Sequence, residues 1–135
     1  MKAAFVTGAG SGIGLSLAEQ LAARGVTVTL ADIGEGVFAA AERLHGARAV
    51  QVDVSDREAL AAAVGACADR AGRLDYLFNN AGIGLAAEVQ DHTPEHWRAV
   101  IDVNLFGVVH GIDAAYPLMV SQGFGHIINT ASVAE

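Results

Sequence analysis

A glycine-rich turn directly after an apolar run is the part of this sequence whose residue types and spacing point most clearly to chemistry. Residues 7–14 read TGAGSGIG, and they follow the apolar run from Ala3 to Val6. A strand that passes through such a turn into a helix leaves backbone N–H groups bare at the helix N-terminus, where a phosphate is favoured. Gly8, Gly12 and Gly14 give the spacing G-x-x-x-G-x-G, whereas neither G-x-G-x-x-G nor a P-loop fits these residues. The turn therefore predicts a dinucleotide site.

The elements that must position this turn alternate between short apolar runs and helical spacings. The predicted strands are Ala3 to Thr7, Val26 to Ala31, Ala47 to Val52, Leu74 to Phe78 and His126 to Thr130. The predicted helices run from about Gly12 to Arg24, from Glu35 to Leu44, from Ser55 to Ala71, and from Thr93 through a bend into a long helix closed by Gly123. Alternating strands and helices imply right-handed crossovers, so the predicted fold class is α/β, a doubly wound parallel sheet of Rossmann type with about five strands.

Local signals predict where the helices begin and which faces they bury. Ser55 and Glu58 form a capping-box pair, and Thr93 followed by Pro94 is typical of a helix start. The predicted core-facing stripes are Ile13, Leu17 and Leu21; Leu60, Val64, Cys67 and Ala71; and Leu105, Val108, Ile112, Ala115 and Met119. We therefore expect Cys67 to be a core residue rather than a reactive thiol.

Each predicted strand ends in residues that can bind a ligand. After the glycine turn come Asp32, Asp53-Val54, Asn79-Asn80-Ala81-Gly82 and Ser132, each at the end of its strand. Ligands of doubly wound sheets bind at the carboxyl ends of the strands, near the reversal in strand order. We therefore expect these residues to line one crevice, although Asn79 and Asn80 have the alternative of being turn residues only.

Composition limits the classes of protein to which the chain can belong. Its 135 residues suggest one domain over 1–135, and its formal net charge of −7 argues against a nucleic-acid surface. The single cysteine, Cys67, excludes an internal disulfide and suits a reducing, cytoplasmic location. Asp102 and Asn104 interrupt the longest apolar stretch, so no membrane span is expected. The histidines lack metal-ligand spacing with carboxylates, so we expect no metal site; they include His92, His96, His110 and His126.

Together these motifs resemble the short-chain dehydrogenase/reductase family, over the whole length from Met1 to Glu135. The resemblance is carried by residues 7–14, Asp53-Val54, residues 79–82, Asn104 within Val-Asn-Leu, and Ser132 within Asn-Thr-Ala-Ser. It implies an NAD-dependent oxidoreductase that transfers a hydride between a small-molecule alcohol and a ketone. It also implies a subunit interface on the last helix.

The resemblance assigns roles to individual residues. The glycine turn cradles the pyrophosphate, Asp53 bonds the adenine amino group, and Asn80 to Gly82 pass beside the adenosine ribose. Asn104 helps to hold a proton-relay water and Ser132 orients the substrate carbonyl, which makes these two the candidate catalytic residues. The candidate cofactor-binding residues are Gly8, Ser11, Gly12, Ile13, Gly14, Asp32, Ile33, Asp53, Val54, Asn80, Ala81 and Gly82. Capping the helix bend is the alternative role for Asn104.

The expected cofactor is NAD rather than NADP. Asp32 follows the second strand, where a carboxylate accepts a hydrogen bond from the ribose 2′-OH and repels a 2′-phosphate. Ser11 stands where NADP-preferring members of the family often carry a basic residue. The alternative is that Asp32 is an ordinary turn carboxylate.

In one respect the sequence departs from the family pattern. Members carry a Tyr-x-x-x-Lys pair beyond the Ser, whose phenol exchanges a proton with the substrate oxygen. Here Tyr76 and Tyr116 are followed four residues later by Asn80 and Val120, and the only lysine, Lys2, is expected at the opposite end of the sheet from the crevice. We therefore expect no lysine-activated phenol. The chain is expected to be the N-terminal, NAD-binding part of such an enzyme; the alternative is a non-catalytic NAD-binding or interaction module.

Two features predict that the chain forms a homo-oligomer or associates further. The last predicted strand, His126 to Thr130, is expected at a sheet edge, and an unpaired edge is a template for another chain. The last helix carries a second apolar stripe beside its core stripe, formed by Phe106, Val109, Tyr116 and Val120. Exposed apolar surface of this kind favours association.

Overall fold

One parallel sheet with helices on both faces forms the fold, and it confirms the predicted class. The structure, a computed structural model, describes residues 1–133. The strands are β1 (Ala3–Thr7), β2 (Thr27–Asp32), β3 (Arg48–Gln51), β4 (Tyr76–Asn79) and β5 (His126–Asn129). The helices are α1 (Gly12–Ala23), α2 (Gly36–Glu42), α3 (Arg57–Ala71), α4 (Pro94–Ile101) and α5 (Gly107–Gln122), with a 3₁₀ turn at Val89–Asp91 and a π-helical turn at Asp102–Phe106. The predicted strand bounds differ from the observed ones by at most two residues.

The strand order places the expected crevice. The sheet has the order β3-β2-β1-β4-β5, and every neighbouring pair is parallel. β1 pairs with β2 from Ala3 opposite Thr27, and with β4 from Ala4 opposite Tyr76. The chain therefore builds outward from β1 on one side and then crosses back to build on the other. The reversal lies between β1 and β4, where a ligand of such a sheet binds at the carboxyl ends.

Apolar side chains cover both faces of the sheet. On one face α1 and α2 pack over the buried residues Val6, Ala9, Ala18, Val28, Leu30, Val37, Ala40 and Ala41. On the other face α3 and α5 pack over Phe5, Ala31, Val52, Val54, Leu60, Val64, Leu74, Leu77, Ala115 and Met119. Cys67 belongs to this second core, as predicted, and burial raises the pKa of its thiol. A buried neutral thiol is a packing group.

Two predicted helix faces are wrong in part. Ile13 is 67% exposed, because the core-facing side of α1 begins at Gly14 and continues with Ala18. The buried stripe of α5 is Gly107, Gly111, Ala115 and Met119, whereas the predicted Leu105 is exposed and Val108 and Ile112 are half-buried. The glycines let α5 approach the sheet: a Cβ on Gly107 would lie 2.7 Å from Val54 Cγ2, and one on Gly111 would collide with Asn79 Oδ1.

The helix starts confirm one predicted cap and correct the other. Thr93 caps α4 in a capping box with His96, whose Nδ1 accepts from the Thr93 N–H, and Pro94 is the first helical residue. The predicted Ser55–Glu58 box is wrong. Asp56 is the N-cap of α3 and accepts from the Ala59 N–H, because the Ser55 hydroxyl donates instead to Asp53.

The bend predicted in the last helical region is the π-helical turn between α4 and α5. By length and composition alone, the continuous helical run Pro94–Gln122 is long and apolar enough to cross a membrane. That criterion is weak for a single helix, since core helices also pass it, and α5 packs against α3, β4 and β5. The absence of a membrane span remains a prediction.

Candidate functional site

A cleft of about 430 Å³ opens at the carboxyl ends of β1, β2, β3 and β4. Its lining residues are Gly8, Ser11, Ile13, Asp32, Ile33, Val52, Asp53, Val54, Asn80, Ala81, Gly82, Ile83, Val103 and Thr130. Every predicted cofactor-binding residue except Gly12 and Gly14 is among them. The topology therefore brings together side chains that lie far apart in the sequence.

Each motif glycine of the turn has its own structural reason. Gly8 and Gly12 have φ values of +64° and +57°, which L-residues with side chains rarely adopt. A Cβ on Gly8 would lie 2.9 Å from the Ala81 Cα. A Cβ on Gly14 would collide with the Gly8 carbonyl and lie 2.7 Å from Asn80 Nδ2. Gly14 thus sits behind the cleft wall and lets α1 pack closely against the turn.

The first turn of α1 presents donors to the cleft. Ser11 is the N-cap but makes no side-chain hydrogen bond to the helix, and the first turn has no acidic residue. The first intrahelical bond runs from the Leu15 N–H to the Ser11 carbonyl, so the N–H groups of residues 12–14 have no partner within the helix. Free N–H groups and the positive end of the helix dipole suit a phosphate group. This donor set fits the pyrophosphate of a dinucleotide.

Asp32 ends β2 with its carboxylate held from two sides. Oδ2 accepts from the Gly10 N–H at 2.9 Å, and Oδ1 accepts from the Gly34 N–H at 3.0 Å. The side chain lines the cleft beside Ile33, which is 66% exposed. A carboxylate has about four acceptor positions. Two are therefore left for the hydroxyls of a ribose.

Asp53 and Val54 follow β3. One oxygen of Asp53, Oδ1, accepts from both the N–H and the hydroxyl of Ser55, at 2.9 and 2.7 Å. The other carboxylate oxygen remains available to a ligand amino group. The Val54 carbonyl lies 2.9 Å from Nδ1 of His110 on α5, a contact that no sequence motif predicted. This contact fixes the loop after β3 to α5.

Two threonines that were not among the predicted site residues join the strands at the cleft. The Thr7 hydroxyl oxygen accepts from the N–H groups of Asn80 and Ala81, at 2.9 and 3.0 Å. The Thr130 hydroxyl, directly after β5, donates to Asn80 Oδ1 at 2.9 Å. Thr130 was detectable, because it is a polar residue at a strand end like the others. The apolar lining residues Val52, Ile83 and Val103 carry no such signal.

Asn104 lies in the π-helical turn, and its amide is paired with Ile83. Oδ1 accepts from the Ile83 N–H and Nδ2 donates to the Ile83 carbonyl, both at 2.8 Å. A Cβ on Gly82 would lie 3.3 Å from Asn104 Oδ1. The side chain thus holds the segment after β4 against the helix bend. A part in holding a water remains a prediction.

Ser132 is exposed and lies beyond β5, near the end of the described chain. It is not among the residues that line the cleft. The structure brings its neighbour Thr130 to the cleft and leaves Ser132 outside. Its predicted role toward a substrate carbonyl stays a prediction.

One lysine and one phenol of the described chain do meet, but away from the cleft. Lys2 Nζ lies 3.2 Å from the Tyr76 hydroxyl, so the chain does pair a lysine with a phenol. Tyr76 is the first residue of β4 and lies opposite Ala4 and His126, at the amino ends of the strands. The cleft lies at the carboxyl ends of the strands. Lys2 is therefore at the opposite end of the sheet, as the sequence predicted. The pair therefore cannot serve a ligand in the cleft.

No group of three His, Cys, Asp or Glu side chains within residues 1–133 is placed to hold a metal ion. The cleft offers backbone N–H groups, side-chain amides and single carboxylates. The N–H groups can donate to a phosphate, and the carboxylates can accept from hydroxyl or amino groups.

Comparison with known proteins agrees with the fold. The family model for short chain dehydrogenase matches residues 2–135. An uncharacterized oxidoreductase of Staphylococcus saprophyticus is 40% identical over 98% of this chain, and the trans-4-hydroxycyclohexanecarboxylate dehydrogenase of Sinomonas cyclohexanicum is 41% identical over 98%. A short chain dehydrogenase/reductase of Burkholderia phymatum in complex with NAD superposes on 97% of this chain with a TM-score of 0.94 and 36% identity.

The chain belongs to the short-chain dehydrogenase/reductase family, of which it represents the N-terminal part. It spans 59% and 55% of the two curated relatives and 49% of the Burkholderia structure. A 3-ketoacyl-(acyl-carrier-protein) reductase of Brucella melitensis complexed with NADH also matches, with a TM-score of 0.91 and 33% identity over 97% of this chain and 57% of that one.

Proposed function

We propose that this chain is the NAD-binding part of an oxidoreductase that transfers a hydride between an alcohol and a ketone. The observation that carries the proposal is the cleft at the strand-order reversal, where the glycine turn, Asp32, Asp53 and Asn80 meet. Two structural neighbours are complexes with NAD and NADH, which supports a nicotinamide cofactor. When bound, that cofactor supplies the hydride chemistry, and the protein supplies binding and orientation.

Different residues of the cleft bind different parts of the cofactor. The open N–H groups of α1 bind the pyrophosphate, and Asp32 accepts from the ribose 2′-OH. The free oxygen of Asp53 accepts from the adenine amino group. The segment from Asn80 to Gly82, held by Thr7, lies beside the adenosine ribose.

The proposed cofactor preference is NAD over NADP. A 2′-phosphate at Asp32 would place a like charge against a carboxylate that two backbone N–H groups hold in place. Within the glycine turn, Ser11 offers no positive charge to offset that repulsion. Calorimetric titration of NADH and NADPH tests the preference. We expect tighter binding of NADH; equal affinities or tighter NADPH binding would overturn it.

This polypeptide has no lysine-activated phenol at the cleft to transfer a proton to or from the substrate. Its 135 residues contain no Tyr-x-x-x-Lys pair, and the contact between Lys2 and Tyr76 lies at the wrong end of the sheet. We therefore expect no sustained NADH formation by the 135-residue polypeptide with a panel of secondary alcohols. Turnover that Ser132→Ala abolishes would contradict this expectation.

The second candidate function is a non-catalytic NAD-binding or interaction module. The two candidates differ in whether the natural protein continues with a Tyr-x-x-x-Lys segment. Reading the gene past codon 135, or an intact mass of the natural protein, distinguishes them. For either one we propose a cytoplasmic homo-oligomer, since the one cysteine is a buried thiol and α5 carries an exposed apolar stripe.

A further inference from the structure

Gly10 is the one glycine of the turn that does not belong to the G-x-x-x-G-x-G motif. Its φ lies outside the positive range, so the backbone at this position would accept a side chain. Space is the constraint instead. A Cβ on Gly10 would lie 3.0 Å from Oδ2 and 3.1 Å from Cγ of Asp32, which is closer than such contacts normally are.

The same residue donates to the carboxylate that it would crowd. The Gly10 N–H bonds Asp32 Oδ2 at 2.9 Å, while the Gly34 N–H bonds Oδ1 at 3.0 Å from the loop on the other side. Hydrogen bonds between backbone N–H groups and a charged acceptor are stronger than those between neutral groups. Asp32 is thereby held against the glycine turn, at the cleft that it lines.

We propose that Gly10 is a positioning residue that sets the discrimination between NAD and NADP through Asp32, an inference that rests on the proposed function. A methyl group at position 10 displaces the carboxylate by a few tenths of an ångström and lengthens its bond to the turn. The displacement weakens the bond to a ribose 2′-OH, and it also relieves the repulsion that a 2′-phosphate meets. Affinity for NADH falls and affinity for NADPH rises, so their ratio responds more than either alone.

The experiment compares Gly10→Ala with Gly36→Ala in the full 135-residue chain, using NADH and NADPH as calorimetric probes. Gly36 begins α2 in the neighbouring loop, and a Cβ there meets nothing within 4 Å. We expect Gly10→Ala to reduce the ratio of NADPH to NADH dissociation constants by about three- to tenfold. Gly36→Ala should leave the ratio at the wild-type value. If both variants unfold at the same temperature as the wild type in a thermal melt, loss of fold is excluded as the cause of a changed ratio.

A second pair of variants tests whether the effect passes through Asp32. In an Asp32→Ala background the methyl group has no carboxylate to displace, so adding Gly10→Ala should leave the ratio of the two dissociation constants unchanged. An unchanged ratio in Gly10→Ala alone, or an equal fall in both backgrounds, would overturn the inference. Wild-type protein that binds NADH but does not distinguish it from NADPH would also overturn it. Failure of the wild type to bind either cofactor would instead reject the proposed function itself.

Discussion

At the scale of single residues, the cleft depends on polar atoms that tie separate strands together. Thr7 is the clearest case. It is buried, and its hydroxyl oxygen accepts from two backbone N–H groups of the segment after β4. Asp32, Asp53 and Asn104 likewise bond backbone groups in or beside the cleft. The polar side chains at the cleft therefore also hold its loops in place.

The Thr7 hydroxyl is expected to stabilise the fold and the cleft together. Thr7→Val keeps the shape but leaves the N–H groups of Asn80 and Ala81 without this acceptor. We expect the free energy of unfolding to fall by about 1–3 kcal/mol, the cost of leaving a buried polar group unpaired. Urea unfolding measures this loss, and Thr7→Ser, which restores the oxygen, is the matched control. A Thr7→Val protein as stable as the Thr7→Ser protein would contradict the assignment.

Asp75 is expected to give the fold a pH dependence on the acid side. It lies just before β4, is 5% exposed, accepts two hydrogen bonds from Arg73 and bonds the Ala3 N–H. The bonds from Arg73 hold the pKa of the Asp75 carboxyl below its ordinary value. Its contribution is therefore complete above the unfolded-state pKa of about 4 and is lost as the pH falls through the lower folded-state value.

The variant Asp75→Asn tests this dependence. We expect it to lower the free energy of unfolding by about 1–3 kcal/mol at pH 7, with the difference from wild type shrinking below about pH 4. Asp113→Asn removes the exposed pair with Arg57, at 3.4 Å, and should change stability little at any pH. A difference between Asp75→Asn and wild type that stays constant from pH 7 to pH 3 would refute the assignment.

At the scale of elements, the approach of α5 to the sheet decides how the site is built. Gly107 and Gly111 face the sheet, so the helix lies close enough for His110 to reach the Val54 carbonyl. The Asn79 side chain is buried against Gly111, where its Oδ1 has no hydrogen-bond partner in the described chain. The space in front of Gly111 is therefore already filled.

Gly111→Ala is expected to destabilise the fold, because its methyl group would collide with Asn79 Oδ1. Overpacking of this kind costs about 1–3 kcal/mol in the free energy of unfolding. Gly65→Ala in α3 is the control, since a Cβ there meets nothing within 4 Å and alanine is the better helix former. Urea denaturation of both variants measures the difference. If the Gly111→Ala protein is as stable as the Gly65→Ala protein, α5 can move away from the sheet without lowering the free energy of unfolding, and the prediction is wrong.

The sequence predicted the elements better than the contacts between them. Apolar runs such as Ala3 to Val6 report burial directly, because parallel strands are buried on both sides. The prediction of the buried face of α5 was wrong in part. A periodic pattern selects large apolar residues such as Leu105 and Ile112, whereas the helix comes closest to the sheet at its glycines. Ile13 was misjudged for a related reason: at the first turn of α1 it lies over the cleft rather than the core.

The candidate site was predictable where one polar residue follows a strand, as at Asp32 and Asp53. Parallel topology alone carries those strand ends to one edge of the sheet. Pairings across the sheet were not predictable, because Lys2 with Tyr76 and Val54 with His110 depend on register and helix position. The sequence carries no local signal for such pairs.

At the scale of the whole molecule, the surface around β5 and α5 is where we predict that copies of the chain associate. β5 lies at the edge of the sheet. Phe106 at the end of the π-helical turn, and Val109, Tyr116 and Val120 on α5, are between 37% and 61% exposed. We expect sedimentation at several concentrations to show association of the 135-residue chain, and Tyr116→Lys with Val120→Lys to reduce it. Val89→Lys, at another exposed apolar residue, is the control. A monodisperse monomer that binds no hydrophobic dye would contradict this expectation.

The most direct test of the central claim is a map of NADH binding onto the folded chain by amide chemical-shift changes in NMR. We predict that the largest changes fall on residues 8–14 and on the segments after β2, β3 and β4, which surround the cleft. The amino ends of the strands, including Lys2 and Tyr76, should change little. Changes centred elsewhere on the molecule, or none at millimolar NADH, would contradict the claim that this cleft is the cofactor site.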